Sequence, residues 1–166
     1  APLVPSSWPV DIAGAGAFAG GTLFLLWSQG AMGTSWRIGV DASEVEQSYF
    51  ENTNVLRTVF SGEQGQFELI DFAPRFGLYD RFFKPSMLVR ILRPLSGEPR
   101  ARVRCRPTYD YGLQEIGRWR ASNHIEYNGF PTPVRLTTNL PLTYVEDERP
   151  FLLERNRHLV LTWGEP

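Results

Sequence analysis

The chain has 166 residues, of which 42% are hydrophobic and 21% charged, and it contains 11 Phe, 6 Tyr and 5 Trp. This length fits one domain with a real hydrophobic core, and this composition excludes a disordered chain. The 17 basic and 18 acidic side chains leave a net charge of −1. That balance offers no general attraction for polyanions, so we expect no nucleic-acid partner.

The single cysteine, Cys105, cannot form an intramolecular disulfide and has no partner for a cysteine-based metal site. This favours a cytoplasmic, reducing compartment. The longest uncharged run, 12–36, has the length of a bilayer span, but its glycines and polar residues keep its hydropathy low. The residues before Ile12 lack a basic region and contain Asp11, unlike a secretory signal. We therefore expect no membrane partner.

The first part of the chain, 1–34, is rich in glycine and differs from the rest. We interpret it as a divergent N-terminal segment and place a β-sandwich domain at 35–166. Gly14–Ala19 loosely fits the dinucleotide-binding fingerprint. A genuine fingerprint needs a preceding strand, a following helix and an acid about 20 residues on. The segment after it instead carries two more glycines, and the first acid is Asp41, so we expect no cofactor.

From Asn54 onward, short apolar runs separated by Pro, Gly and Asn predict β-strands. In the clearest one, Ala101, Val103 and Cys105 face one way and four arginines the other. The predicted strands are Asn54–Phe60, Gln66–Phe72, Ser86–Arg93, Arg100–Arg106, His124–Tyr127, Val134–Thr138, Leu142–Glu146, Phe151–Glu154 and His158–Trp163. Their predicted limits are Pro94, Pro107, Pro131, Pro141 and Pro150. Short connections require antiparallel pairing, so the predicted fold class is all-β, an antiparallel β-sandwich. The connection Ala73–Pro85 is expected to be an irregular surface loop or a docking surface.

Several blocks, in order along the chain, resemble the N-terminal domain of glycoside hydrolase family 15, the glucoamylase and trehalase-like proteins. The blocks are Tyr49–Thr58, Phe67–Phe76, Pro85–Arg90, Pro94–Gly97 and Arg106–Gly112, with weaker similarity at Ser122–Ile125 and Arg135–Thr138. The resemblance covers about Trp36 to Trp163. The opening strand pair of the family has no counterpart in 1–34.

This resemblance implies a supersandwich-like β-domain that precedes an (α/α)6 barrel. Residues 1–34 are then a divergent segment, the product of an incomplete gene or a shifted reading frame, and in the last case the sandwich lacks part of an edge. In the family, two glutamates of the barrel hydrolyse an α-glucosidic bond with inversion, in trehalose or an α-glucan. We expect the barrel to follow Pro166 and to be the partner of this domain. The chain itself is then expected to be non-catalytic, and a stand-alone carbohydrate-binding module is the alternative.

The candidate polar sites favour structural roles. The available carboxylates are Asp71, Asp80, Asp110, Glu126, Asp147 and Glu148. Asp71 and Asp110 both precede turn-like segments, and neither has a second carboxylate at a defined spacing. His124 and His158 lack a third metal ligand, so we expect no metal. Cys105 lies on an apolar strand face and is expected to be unreactive core.

The arginine face of Arg100, Arg102, Arg104 and Arg106 is interpreted as solvated or paired with acids, with burial under the barrel as an alternative. Aromatic residues can stack on sugars, but packing against protein is commoner. Candidates for either role are Tyr79, Phe82, Phe83, Tyr109, Tyr111, Trp119 and Trp163. We predict that Tyr79, Phe82 and Phe83 form an interface with the barrel.

Overall fold

The computed structural model describes residues 10–13, 22–26, 32–39, 42–109, 113–114 and 116–164. Strands dominate these residues, and the predicted all-β class is confirmed. The elements in chain order are β1 (Val10–Ala13), β2 (Thr22–Leu26), β3 (Met32–Gly39), β4 (Glu44–Tyr49), β5 (Leu56–Gly62), β6 (Gly65–Phe72), β7 (Phe76–Leu78), β8 (Arg81–Phe83), β9 (Met87–Gly97), β10 (Arg100–Tyr109), β11 (Gly117–Arg120), β12 (His124–Asn128), β13 (Val134–Thr138), α1 (Leu142–Glu146), β14 (Phe151–Leu152) and β15 (Arg157–Trp163).

Two main sheets form the sandwich. Among the described residues, the large sheet has eight strands in the order β11-β12-β13-β15-β9-β6-β5-β4. The small sheet has five, in the order β1-β2-β3-β10-β14. Neighbouring strands pair antiparallel throughout, as their short connections require. The inner faces of both sheets meet in one core, in which Leu69 and Leu159 of the large sheet join Ile38 and Val103 of the small sheet.

Strand β10 shows how the sequence pattern produces this core. Ala101, Val103 and Cys105 are buried, and the arginines between them point to the opposite side of the sheet. The strict alternation predicted for this strand is confirmed. Because successive side chains of a strand point to opposite faces, a one-residue slip would bury arginines and expose the apolar residues.

The segment Leu142–Glu146 was predicted as a strand, and this prediction is wrong, because it forms the helix α1. Thr143, Tyr144 and Val145 have a high β-propensity, but packing overrides propensity here. Pro141 stands at the N-cap position with φ −54°. Leu142 and Val145, three positions apart, both turn into the core.

Two prolines expected to end strands lie inside them. Strand β9 continues past Pro94 to Gly97, and the register of β9 on β6 shifts between Gln66 and Phe67. A bulge of this kind accommodates a residue without an N–H donor. Strand β10 likewise continues through Pro107, which pairs with β3. The other neighbour, β14, pairs only with the start of β10, so the ladder loses no hydrogen bond on that side.

The connection Ala73–Pro85 was predicted as irregular, and this part of the prediction is wrong. It contains β7 and β8, which pair with each other in a separate two-stranded sheet. We call Phe76–Phe83 the aromatic hairpin. It leaves the large sheet after β6 and returns to it at β9, so it extends one end of the sandwich.

A buried ion pair lies among the apolar side chains of the core. Arg90 of β9 and Asp71 of β6 face each other across the ladder and are 1% and 6% exposed. Arg90 donates from Nε and Nη2 to the two oxygens of Asp71, at 2.8 and 2.9 Å. This fork-to-fork geometry satisfies both carboxylate oxygens inside the protein. Asp71 therefore has a structural role, but as the partner of Arg90 inside β6 and not in the turn that its sequence context indicated.

At the end opposite the aromatic hairpin, two turns pack against each other through glycines. Gly65 and Gly97 are paired in the ladder and both have positive φ, +138° and +67°. A Cβ at Gly97 would lie 2.6 Å from the carbonyl oxygen of Gln64, and a Cβ at Gly65 would overlap the carbonyl of Ser96. Only glycine fits both the backbone conformation and this approach.

The N-terminal strands belong to the small sheet. Strand β3 pairs with β2 on one side and with β10 on the other, and it runs across position 34. The dinucleotide-like run Gly14–Ala19 lies outside the described residues, and so does Asp41. Within the described part of the chain, no helix has the length and apolar character that a bilayer crossing needs.

Candidate docking surface

The aromatic hairpin has a two-residue turn at its tip. Leu78 pairs with Arg81, so Tyr79 and Asp80 make the connection. Tyr79 has φ +53° and is 96% exposed. A left-handed conformation costs a non-glycine residue about 1 kcal/mol or more. The hairpin therefore holds an aromatic ring in solvent on a backbone that is itself strained.

Three phenylalanines cover the hairpin strands. Phe76 and Phe83 are directly cross-strand, with ring centroids 5.3 Å apart and planes tilted by 54°. Phe82 is 72% exposed, and the Arg75 guanidinium lies 4.9 Å from its ring centroid. Phe76 and Phe83 are about half exposed. The aromatic pair stiffens the hairpin, yet Phe76 and Phe83 leave about half of their area in solvent and Phe82 leaves more.

The charges around these rings are mostly positive. Arg75, Arg81 and Lys84 flank the aromatic residues, and Asp80 is the acid at the tip. All four side chains are exposed. An apolar centre with a charged rim is the arrangement found in protein–protein interfaces.

An apolar row on the outer face of the large sheet leads into the hairpin. Phe72, Val89 and Val160 lie side by side across β6, β9 and β15, and each is only partly buried. Ile70 and Ile91 form a second apolar pair beside them. The outer face of a sandwich sheet normally carries polar side chains. This row, next to the aromatic hairpin, is therefore suited to contact another protein.

Four of the candidate carboxylates, Asp71, Glu126, Asp147 and Glu148, form ion pairs with arginines. Glu126 pairs with Arg135 at 2.5 Å on the outer face of the large sheet, and Asp147 pairs with Arg149 at 3.1 Å. Asp80 is at the hairpin tip, and Asp110 lies outside the described residues. Asp71 is buried against Arg90, so of the described carboxylates it is held in the core and away from a substrate.

The histidines also lie apart from a metal-binding arrangement. His124 packs edge-on to Trp119, with centroids 6.0 Å apart, and its Nδ1 lies 3.0 Å from the side-chain oxygen of Asn123. His158 is exposed, and its backbone N–H donates to Asn139 Oδ1 at 2.9 Å. Among the residues described, no three His, Cys, Asp or Glu side chains are grouped as metal ligands.

Cys105 lies in the core between the sheets. Burial raises the pKa of its thiol from 9.0 to about 12, so it stays protonated at neutral pH. The Tyr127 hydroxyl donates to the Cys105 backbone carbonyl at 3.3 Å, and burial also raises the tyrosine pKa. A protonated, enclosed thiol is a poor nucleophile.

The arginines of β10 form a row on the outer face of the small sheet, which we call the arginine stripe (Arg100, Arg102, Arg104 and Arg106). Glu148, just after α1, contacts two of them. Its Oε1 lies 2.5 Å from Arg106 Nε and 3.6 Å from Arg104 Nε. The expected pairing with acids is therefore present for half of the stripe.

The remaining aromatic candidates are scattered. Trp119 is 54% exposed on the edge strand β11, whereas Tyr109 packs edge-on against Phe130. Trp163 is partly buried at the end of β15, and Tyr111 lies outside the described residues. The ring partners of Tyr109 and Trp119 are Phe130 and His124, which are not residues of the aromatic hairpin.

Sequence reasoning named Tyr79, Phe82 and Phe83 but missed Phe76 and Phe72. A signal for Phe76 was present, because a two-residue turn at Tyr79 places Phe76 opposite Phe83. Phe72 was read only as a strand end. The interface role of the three named residues stays a prediction.

Comparison with known proteins adds no relative. A scan against protein-family models, a search of curated proteins and a search of solved structures each found no match to this chain.

Proposed function

We propose that this chain is a non-catalytic accessory β-sandwich domain that packs on the (α/α)6 barrel of a glycoside hydrolase family 15 enzyme. There it scaffolds the barrel and shapes access for an α-glucan or trehalose. The aromatic hairpin is the observation that carries this proposal, since exposed phenylalanines on a stiff projection suit contact with a partner domain. The ordered sequence blocks between Trp36 and Trp163 suggest which family supplies that partner. A cytoplasmic location belongs to the same proposal.

The placement of the carboxylates supports a non-catalytic role for this domain. An inverting glycosidase needs two carboxyl groups about 6.5 to 9.5 Å apart, one acid and one base, on either side of a sugar. Asp71 is sealed in the core by Arg90, and Glu126 is paired with Arg135. Hydrolysis is therefore assigned to the barrel.

Docking through the hairpin has a suitable energetic scale. Burying a phenylalanine side chain contributes about 1.5 to 3 kcal/mol. Phe82 and Phe83 are 72% and 52% exposed in the isolated chain, so much of this burial free energy is still available for binding a partner. Loss of both should weaken barrel binding by roughly 100-fold. The apolar row of Phe72, Val89 and Val160 extends the contact along the sheet.

A stand-alone carbohydrate-binding module is the second candidate, and the exposed Trp119 favours it. An indole on a sheet edge can stack on a sugar ring. The aromatic hairpin fits this role less well. Phe76 and Phe83 are tilted by 54°, so they do not make a flat platform, and Arg75 covers part of Phe82.

Titration calorimetry with maltoheptaose and with trehalose, run beside a glucose-release assay, separates the candidates. The accessory-domain proposal expects no heat and no glucose. Saturable heat without glucose would favour the module, and glucose release would overturn both.

A binding assay then tests the partner. A family 15 glucoamylase barrel, expressed separately, should bind the chain, and F82S/F83S should weaken that binding. The matched control is Leu113→Ser, because Leu113 is 81% exposed outside the hairpin. Equal binding by F82S/F83S and the control would contradict docking through the hairpin.

A further inference from the structure

We propose that the arginine stripe is a second docking surface and that its occupant is the acidic face of an α-helix of the partner. The identification of this partner with the barrel rests on the proposed function. The chemistry of the stripe does not, because it is argued from the arginines themselves.

The stripe is built by strand geometry. Arg100, Arg102, Arg104 and Arg106 occupy alternate positions of β10, opposite the buried face of the strand. Alternate residues of a strand are about 6.8 Å apart, so four guanidinium groups project in a row. Arg104 and Arg106 are 41% and 58% exposed, and Arg100 and Arg102 are exposed as well.

The stripe has more positive charge than its surroundings balance. Within the described residues, Glu148 is the carboxylate within ion-pair distance of the stripe, and it shares one oxygen between Arg104 and Arg106. The four arginines project from one face of the same strand, and like charges held in a row repel one another. A row of this kind gains stability when carboxylates of another molecule approach it.

An acidic helix fits this row. Carboxylates four residues apart on a helix are separated by about 6 Å, close to the spacing of the arginines. Each guanidinium can bind a carboxylate through two parallel hydrogen bonds, and arginine tolerates burial in an interface better than lysine does. Within the stripe, Arg104 and Arg106 share the carboxylate of Glu148, whereas no ion pair with a described residue is formed by Arg100 or Arg102. The stripe lies on the small sheet and the apolar row on the large sheet, so the two are separate docking surfaces.

A nucleic acid is the rival occupant, and the observations favour it less. The chain has a net charge of −1, so it offers a polyanion no long-range attraction. Proteins that bind single strands combine basic grooves with aromatic rings on which bases stack. In the described part of the chain, the residue that forms ion pairs with the stripe is the acid Glu148, and a carboxylate next to the arginines disfavours a phosphate backbone.

Fluorescence anisotropy of two labelled probes tests the proposal on the intact chain. One probe is a synthetic helical peptide with Glu at every fourth position of one face, and the other is single-stranded oligothymidylate. A scrambled peptide of the same composition controls for charge alone. We expect the acidic helix to bind at low ionic strength and to weaken as salt is added.

Two paired variants locate the binding surface. R102Q/R104Q should weaken peptide binding about tenfold. R118Q/R120Q removes the same charge from β11 of the large sheet and should change binding less than twofold. Equal melting temperatures of the two variants exclude unfolding as the cause.

Three outcomes would overturn the proposal: no peptide binding, equal loss in both variants, or binding of the scrambled peptide as tight as that of the helical one. Tighter binding of oligothymidylate would overturn the choice of a protein partner. None of these assays contains the barrel. A failure of hairpin docking therefore leaves the peptide result intact, and a failure here leaves hairpin docking intact.

Discussion

Changing Arg90 to Met is expected to destabilise the sandwich by about 3 to 5 kcal/mol, because it leaves the Asp71 carboxylate buried without its counter-ion. Asp71 is 6% exposed and Arg90 1%, so water cannot replace the lost partner. Two hydrogen bonds, at 2.8 and 2.9 Å, disappear with the guanidinium. Domains of this size are stable by about 5 to 15 kcal/mol, so the change removes a large part of the total.

A double-mutant cycle separates the pair from its surroundings. Asp71→Leu should cost a similar amount, because it leaves Arg90 charged in the core. The double variant R90M/D71L removes both charges and should lose at least about 2 kcal/mol less than the sum of the single losses. Urea unfolding, followed by tryptophan fluorescence, measures all three variants.

An exposed ion pair supplies the control. Arg135→Met removes the partner of Glu126 where Arg135 is 50% exposed, and it should cost less than about 1 kcal/mol. A loss for R90M no larger than for R135M would refute the reasoning. So would single losses that simply add in the double variant.

Three further outcomes follow from the core and the turns. Leu136→Ala, at a side chain with no exposure, should cost about 2 to 5 kcal/mol in urea unfolding. Gly97→Ala should cost about 2 kcal/mol or more, whereas Gly77→Ala, with nothing within 4 Å of the new Cβ, should be nearly neutral. Burial raises the pKa of Cys105 in the folded state, so above pH 9 the unfolded state loses the thiol proton while the folded state keeps it. The free energy of unfolding should therefore fall by about 1 kcal/mol between pH 9 and 10. Tyr127 adds to this loss at higher pH, and Cys105→Ala should flatten the slope between pH 9 and 10 if the thiol causes it.

The strands could be predicted wherever the side chains alternate strictly. Strand β10 and strand β13 follow from period-two patterns alone, because each has one buried and one exposed face. Helix α1 could not be predicted in this way. Its residues have high β-propensity. The three-residue spacing of Leu142 and Val145 indicates a helix only once it is known that both side chains pack into the core. Pro94 was expected to end a strand, but a bulge in the pairing of β9 with β6 accommodates it, and such a bulge cannot be predicted from one strand alone.

The candidate site was predictable in composition but not in arrangement. The density of Phe and Tyr between Ala73 and Pro85 indicated an interface, and the structure places those rings on an exposed hairpin. The apolar row of Phe72, Val89 and Val160 depends on the registers of β6, β9 and β15. Register is a property of three strands together, so no single segment reveals the row.

The glycine contact between Gly65 and Gly97 gives the two ends of the sandwich different tolerance to change. At that end, the chain passes from β9 of the large sheet to β10 of the small sheet, and no side chain fits between the two turns. A larger residue at either glycine would push β6 and β9 of the large sheet apart at this end. The aromatic hairpin, in contrast, forms its own two-stranded sheet and can be lengthened, shortened or exchanged without entering the core. A new partner can therefore be accommodated at one end of this sandwich while the other end preserves the fold.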